Sequence, residues 1–396
     1  MAQKYTVLRA VRGIDTRAPL GGSLLGPTLE AFGSGPPELQ VSVEALSPND
    51  IRDLSRDPSV AGIGMAIPTK LVEPLTGPEG AAQPAAWGIA AVGADRSPYD
   101  GAGVVVAVLD TGIDGKHAAF QGVTLVQKDF SGSGDGDKNG HGTHVAGTIF
   151  GRDVNGTRIG VARGVTKALI GKVLGDTGRG ESAWIFDALV WAIQERAQVI
   201  SMSLGFDFPR LVEQLEGEGM PQAAAVSVAI EAYRSNMEMF NSIMALAGAH
   251  APFTGGTTVI AAAGNESGRD RNPSFEVAAA PPSSAKGIVA VGALRRVGDR
   301  YGVADFSNTL PTLSAPGVDI VSASVGGGLR SLSGTSMAAP HAAGIAALWW
   351  QCVRNTPVPV NMSTVGARLI ANARSNVFTQ GVDVADRGAG LITAPL

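Results

Sequence analysis

Residues 103–110 read GVVVAVLD, an unbroken apolar stretch closed by a carboxylate. Nothing in it alternates polar with apolar, so a strand built from it must be covered on both faces. KALIGKVLG (167–175), QVISMSLG (198–205), TTVIAAAGN (257–265) and GIVAVGAL (287–294) have the same character, and helical patterns such as ESAWIFDALVWAIQERA (181–197) lie between several of them. Strands alternating with helices predict an α/β fold, a mainly parallel central sheet with helices on both faces. In such sheets the reactive groups sit outside the carboxyl ends of the strands. Two of the runs end in groups of chemical interest, Asp110 and Asn265.

Upstream the pattern differs. YTVLRAV (5–11), LQVSVEAL (39–46) and SVAGIGMAI (59–67) read as strands, and SPNDIRDLSRD (47–57) as a short helix capped by Ser47. Residues 1 to about 73 thus form a small α+β unit. VEPLTGPEGAAQPAAWG (72–88), with Pro74, Pro78 and Pro84, has the composition of an exposed connector. The expected division is 1–80 for the unit and its connector, and 81–396 for the main domain.

With 396 residues, 44% of them hydrophobic, the chain can bury a large core. Its 31 basic and 35 acidic residues leave a formal charge of −4, with no basic stripe for nucleic acid. No apolar run is long enough to span a membrane. The opening MAQKYTVLRAVRGIDTRAPLGG lacks the apolar region of a secretory signal, which places the chain in the cytoplasm unless a leader precedes it. The single cysteine, Cys352, excludes an internal disulfide framework and a cysteine-based zinc site.

Five histidines can be sorted by context. His250 stands in a breaker-rich stretch, GAHAPFTGG (248–256), read as a loop. His341 lies among alanines as a core histidine, and His117 can bond nearby backbone. NGHGTHVAGTI (139–149) is left, with His141 opening a helical pattern and His144 one turn on. These two lack the i, i+4 spacing and the glutamate of a helical zinc motif. DGDKNG (135–140) copies half a calcium loop, but the closing acidic position is Ala146. It reads as a flexible acidic loop or a partial cation site.

SLSGTSMAAPHAAGIAAL (331–348) surrounds Ser336 with small residues and leads into an apolar helix. A helix N-terminus offers unpaired N–H groups and partial positive charge, which suits an oxyanion. A plain helix cap reads equally well from this stretch alone. Asp110 is either a turn former or a carboxylate able to orient an imidazole, and the Asn265 amide can donate to developing negative charge.

Taken in the order Asp110, His141, Asn265, Ser336, these residues resemble the subtilisin-like serine proteases. VAVLDTGID (106–114), GHGTHVAGT (140–148) and GTSMAAPHAAG (334–344) match that family's signature blocks, AAAGN (261–265) its oxyanion block, and GAGLITA (388–394) its last segment. The order Asp, His, Ser separates this architecture from other triad folds. The resemblance implies Ser336 as nucleophile, His141 as general base, Asp110 as its orienting carboxylate, and Asn265 with the Ser336 N–H as oxyanion hole. Gly334 and Thr335 would leave room for substrate. It further implies protein or peptide substrates laid along Ser203, Leu204 and Gly205, a specificity pocket lined by Ala263 and Gly264 with its floor near Ala280, and Glu266 at the rim favouring a basic side chain. It requires no cofactor for the chemistry. Structural calcium is left open: FGRDVNGTRIGVA (150–162) offers Asp153 and Asn155 without a full ligand set.

By the same resemblance, carried by LSPNDIRDLSRDPSVAGI (46–63), the N-terminal unit is a prodomain that inhibits until it is cleaved off. Its tail, Val72 to Ala82, is expected across the active site. Residues 206–222, including the acidic LVEQLEGEG (211–219), read as an insertion. The implied activity is endopeptidase; a peptide ligase on the same scaffold is the alternative, because an amine can resolve an acyl-enzyme as water does.

Overall fold

The computed structural model describes residues 3–11, 38–76 and 86–396. An antiparallel sheet opens the chain: β1 (Gln3–Val11) is flanked by β2 (Glu38–Leu46) and β3 (Val60–Met65). Between the outer strands lies α1 (Pro48–Leu54). Its cap is Ser47, whose hydroxyl takes the Asp50 N–H while the Asp50 carboxylate takes the Ser47 N–H. The chain then runs extended through β4 (Pro68–Leu71) and β5 (Leu75–Thr76). The expected boundary at residue 80 falls outside the described residues.

The main domain begins with α2 (Trp87–Ala91), followed by β6 (Val105–Asp110), β7 (Thr124–Asp129), α3 (His141–Phe150), β8 (Lys167–Lys172), β9 (Arg179–Glu181) and α4 (Ser182–Gln194). Next come β10 (Val199–Met202), β11 (Leu204–Phe206), α5 (Phe208–Gly217), α6 (Gln222–Thr254), β12 (Thr258–Ala262), β13 (Ile288–Val297), β14 (Arg300–Val303) and β15 (Leu313–Pro316). It closes with β16 (Ile320–Ala323), β17 (Leu329–Ser333), α7 (Thr335–Arg354) and α8 (Met362–Ala371).

The central sheet runs β14-β13-β12-β10-β6-β8-β7, with β15 also beside β13, and is parallel except where β14 turns back on β13. Its faces divide by residue parity. Val106 and Val108 of β6 join one core with α3 and α7, whereas Ala107 and Leu109 join the other with α4 and α6. Both faces are therefore dry, as the unbroken apolar run required. From β6 the chain proceeds to β8 and β7 on one side and to β10, β12 and β13 on the other. This switch point opens a crevice beyond Asp110.

One reading needs correction. His250 lies within α6, not in a loop; the helix passes through Pro252 and stops at Gly255, whose positive φ of 84° ends it. The expected insertion is α5 and the turn after it, and its buried Leu211 and Leu215 belong to the core shared with α4 and α6.

Candidate active site

Asp110 is the last residue of β6 and His141 the first of α3; both are buried, with His141 Nδ1 2.8 Å from Asp110 Oδ1. Asp110 Oδ1 also accepts the Thr111 N–H at 2.8 Å, which fixes the carboxylate. The carboxylate can only accept, so Nδ1 donates, and Nε2 has no hydrogen-bond partner. Two glycines permit this approach. A Cβ on Gly142 would lie 2.1 Å from the Gly112 carbonyl oxygen, and Gly112 itself has φ 104°.

The start of α3 is held by Asp137. Asp137 Oδ1 accepts from Gly140 N (2.7 Å), Asn139 N (3.1 Å) and Thr111 Oγ1 (3.0 Å). Its Oδ2 accepts from Thr143 N (2.9 Å) and Thr143 Oγ1 (2.7 Å). A buried anion at a helix N-terminus answers both the exposed N–H groups and the dipole. The half calcium loop is thus a helix cap, with both Asp137 oxygens committed to donors. Asp129 is likewise held by Ser131 and Gly134, and Asp153 by Arg163. Among the described residues no group of three or more His, Cys, Asp or Glu could hold a metal ion.

His144, one turn beyond His141, faces away from the crevice: its Nε2 bonds the Ile320 carbonyl at 3.0 Å. Burial, then the charges of Arg330 and His141, push its pKa down to about 3. His341 is held neutral by burial, down to about 4, with Nδ1 on the Met337 carbonyl at 2.8 Å. His117 bonds Ala119 N and the Gly328 carbonyl.

Ser336 is the second residue of α7, and α7 packs against α3. Its hydroxyl donates to the Val72 carbonyl at 2.5 Å. Asn265, just past β12, accepts on Oδ1 from Thr335 N (2.9 Å) and Thr335 Oγ1 (2.8 Å). A backbone N–H can only donate, so the amide oxygen must face Thr335 and the NH₂ must face the crevice. There Nδ2 donates to the Glu73 carbonyl at 2.9 Å. Thr335 is fully buried and orients Asn265 rather than leaving room for a ligand. Gly334 leaves that room, since a Cβ on it would reach to 3.1 Å from Asn265 Nδ2 and 3.6 Å from Pro74 Cα.

The crevice is filled by the chain itself. β4 lies between β11 and β9 as the middle of a three-stranded antiparallel sheet, pairing Leu71 with Leu204, Lys70 with Gly205 and Arg179, and Thr69 with Phe206 and Gly180. Leu71 N donates to Gly178 O (2.8 Å) and Val72 N to Ser203 O (3.2 Å). Beyond Ser336, β5 pairs with β17, Leu75 opposite Ser333. The crossing segment thus starts at Pro68, before the expected Val72. Thr69 and Leu71 are buried, and of the expected exposed connector Val72 is buried whereas Glu73 and Leu75 are exposed. Residues 77–82 of the expected tail lie outside the described residues.

A cavity of about 20 Å³ remains beside Val72, bordered by Gly205, Ala262, Gly264, Glu266, Ala280 and Pro281. Asn308 orders its rim. Nδ2 donates to the Ala263 carbonyl (3.1 Å) and to Glu266 Oε2 (2.7 Å), while Oδ1 accepts from Glu266 N and Ser267 N. Ala280 N in turn donates to Ala263 O at 3.0 Å. Neither Asn308 nor Asp137 was singled out in the sequence; Asp137 alone left a signal there, an acid just before a helix start.

Residues 101–390 match the family described as the subtilase family, Peptidase S8. The chain is 31% identical to subtilisin NAT of Bacillus subtilis subsp. natto over 316 residues, covering 78% of this chain and 70% of that protein. It is 35% identical to the intracellular serine protease of Paenibacillus polymyxa over 257 residues, 63% of this chain and 67% of the relative. Subtilisin-like protease 1 of Trichophyton equinum is 30% identical over 315 residues, 75% of this chain but 52% of the relative, so the chain spans about half the length of such fungal relatives. With the parallel sheet and the crevice at its switch point in agreement, the chain belongs to the subtilase family.

Proposed function

We propose that this chain is a serine endopeptidase made as a precursor that blocks and then cuts itself. Ser336 Oγ attacks the scissile carbonyl and His141 Nε2 receives its proton. Asp110, held by the Thr111 N–H, keeps the imidazole in the tautomer with Nε2 free and stabilises the imidazolium that forms. The Asn265 amide and the Ser336 N–H receive the charge developing on the carbonyl oxygen. His141 then protonates the leaving nitrogen, and water resolves the acyl-enzyme. Substrate would lie where β4 lies, hydrogen-bonded to the β9 and β11 edges. Ser203, Leu204 and Gly205 would supply one edge, and Ala263, Gly264, Glu266 and Ala280 the pocket. Glu266 would stand at the rim with Oε2 accepting from Asn308 Nδ2.

The observation that supports this reading most is the buried Asp110–His141 contact with Nε2 left unpartnered. Self-inhibition is supported by the Ser336 hydroxyl donating to the chain's own Val72 carbonyl. Fluorophosphonate labelling and a quenched peptide library read by mass spectrometry test it. Wild type should label and yield hydrolysed ends; Ser336→Ala should do neither. Labelling of the variant at the wild-type rate would place the nucleophile elsewhere, and joined rather than hydrolysed ends would make the chain a ligase.

A further inference from the structure

We propose that the self-processing bond is Val72–Glu73, and that the primary pocket is therefore shaped for a small aliphatic side chain. This rests on the endopeptidase reading above.

Backbone hydrogen bonds from both walls of the crevice hold the chain up to Val72 and then stop. The last is Val72 N to Ser203 O, and strand pairing resumes only at Leu75. Glu73 and Pro74 bridge the gap. The Ser336 hydroxyl lies 2.5 Å from the Val72 carbonyl oxygen, so the electrophilic carbon beside it is that of Val72. One contact favours the neighbouring bond instead, because Asn265 Nδ2 donates to the Glu73 carbonyl. Side-chain burial decides between them. Val72 is buried against the cavity, whereas Glu73 is exposed. For Glu73 to take the pocket, its carboxylate would have to enter beside Glu266, a like charge. With about 20 Å³ to spare beside Val72 and Ala280 in the wall, a valine side chain fills the pocket closely.

In the cut, Ser336 Oγ bonds the Val72 carbonyl carbon and its proton passes to His141 Nε2. The Val72–Glu73 C–N bond breaks as that proton moves to the Glu73 nitrogen, which leaves as a free amine. Water hydrolyses the Val72 ester, giving a carboxylate and restoring the Ser336 hydroxyl. The products are residues 1–72 and a chain beginning at Glu73, with one water consumed.

N-terminal sequencing and intact mass of the full-length protein, wild type and Ser336→Ala, test the bond. The expected result is a wild-type chain starting at Glu73, a companion ending at Val72, and an uncut variant. A start at Pro74, or anywhere within residues 77–85, would overturn the bond while leaving self-processing intact. Fluorophosphonate labelling of a chain that never cuts itself would overturn self-processing, and absence of labelling would overturn the endopeptidase reading. The pocket is tested separately on the processed protein with Thr-Lys-Leu-Val, Thr-Lys-Leu-Glu and Thr-Lys-Leu-Phe nitroanilides. Pocket selection spans about 10- to 200-fold per methylene-sized misfit, so the valine reporter should lead in kcat/KM by at least about tenfold. A lead for the glutamate or phenylalanine reporter would overturn the pocket assignment.

Discussion

In the central sheet, both faces of β6, β10 and β12 are covered by helices of the same domain, whereas the β2-β1-β3 sheet divides its faces between two owners. Leu8, Leu39, Ala61 and Met65 point into the core that α4 and α6 build around Phe186 and Phe240. The opposite face buries Val7 and Leu46 and carries Arg9, Ser42 and Glu44, joined by an ion pair of 2.7 Å and hydrogen bonds. Polar links reinforce the seam: Asn236 Nδ2 to the Met65 carbonyl at 2.6 Å and Gln194 Nε2 to Leu39 O at 2.8 Å. The main domain owns its core; the N-terminal unit buries only Val7 and Leu46 apart from it and otherwise leans on that core. A three-stranded sheet whose apolar face belongs to a partner's core has little to hold it together alone.

The largest expected effect follows from that difference. Residues 1–72 on their own should show no cooperative melt by circular dichroism, and should gain strand signal when the processed main domain is added in equal amount. A cooperative melt of the free fragment would break the comparison and make the unit an independent domain.

Within the main domain, the heaviest single loss should come from Asp137. Replacing it by alanine leaves the buried donors around the α3 start without an acceptor, at about 1–3 kcal/mol for each buried group left unsatisfied. Asp137→Ala should therefore lower the melting midpoint sharply and reduce kcat by displacing His141. Unchanged stability would mean that water replaces the carboxylate.

What the sequence could disclose divides along the same line. Asp110, His141, Asn265 and Ser336 stand in local patterns, a strand end or a helix start ringed by glycines, and a local pattern can be read without coordinates. Thr335 and Asn308 bond groups remote in sequence, at Gly264 and Asn265 and at Ala263, Glu266 and Ser267, so nothing in their neighbourhoods shows the partner; Asp137 caps groups two to six residues on, a local signal that the likeness to a calcium loop concealed. β4 escaped notice for a related reason. PTKL begins with proline and is short, and its strand character comes wholly from edges more than a hundred residues downstream, at Arg179 and Leu204. In the α6 stretch at 248–254, two apparent breakers misled; only Gly255, in the left-handed region, ends the helix.

Acid should weaken the main domain through its buried histidines. His144 and His341 are held down to about 3 and about 4 in the folded chain, against 6.5 when unfolded. Below 6.5 the unfolded chain binds protons that the folded chain refuses, so the stabilisation is whole above pH 6.5. It declines as pH falls and levels off once the folded groups themselves protonate. Each histidine contributes a slope of up to about 1.4 kcal/mol per pH unit in that window. Denaturant titrations between pH 6.5 and 4.5 should give a shallower slope for His144→Gln than for wild type. Identical slopes would show that carboxylates account for the whole acid response.

The smallest expected effect concerns the tail that joins the two regions. Arg179 on one wall and Asp207 just beyond the other form an ion pair, Nη1 to Oδ2 at 3.2 Å, across the strand that β4 contributes. Asp207 also donates its own N–H to the Pro68 carbonyl at 2.8 Å. The pair resembles a clasp over the bound segment, yet the Arg179 side chain is 52% exposed and that of Asp207 12%. An ion pair this wet contributes up to about 1 kcal/mol, well below the backbone ladder beneath it. Asp207→Asn, which keeps the backbone N–H, should therefore speed release of fragment 1–72 from the processed enzyme by about fivefold or less. The difference should vanish near 1 M salt, where charges are screened within about 3 Å. A much larger acceleration that persists in high salt would mean that Asp207 holds the tail by shaping the β11 edge itself. Retention would then depend on the main domain's wall geometry more than on the strand ladder.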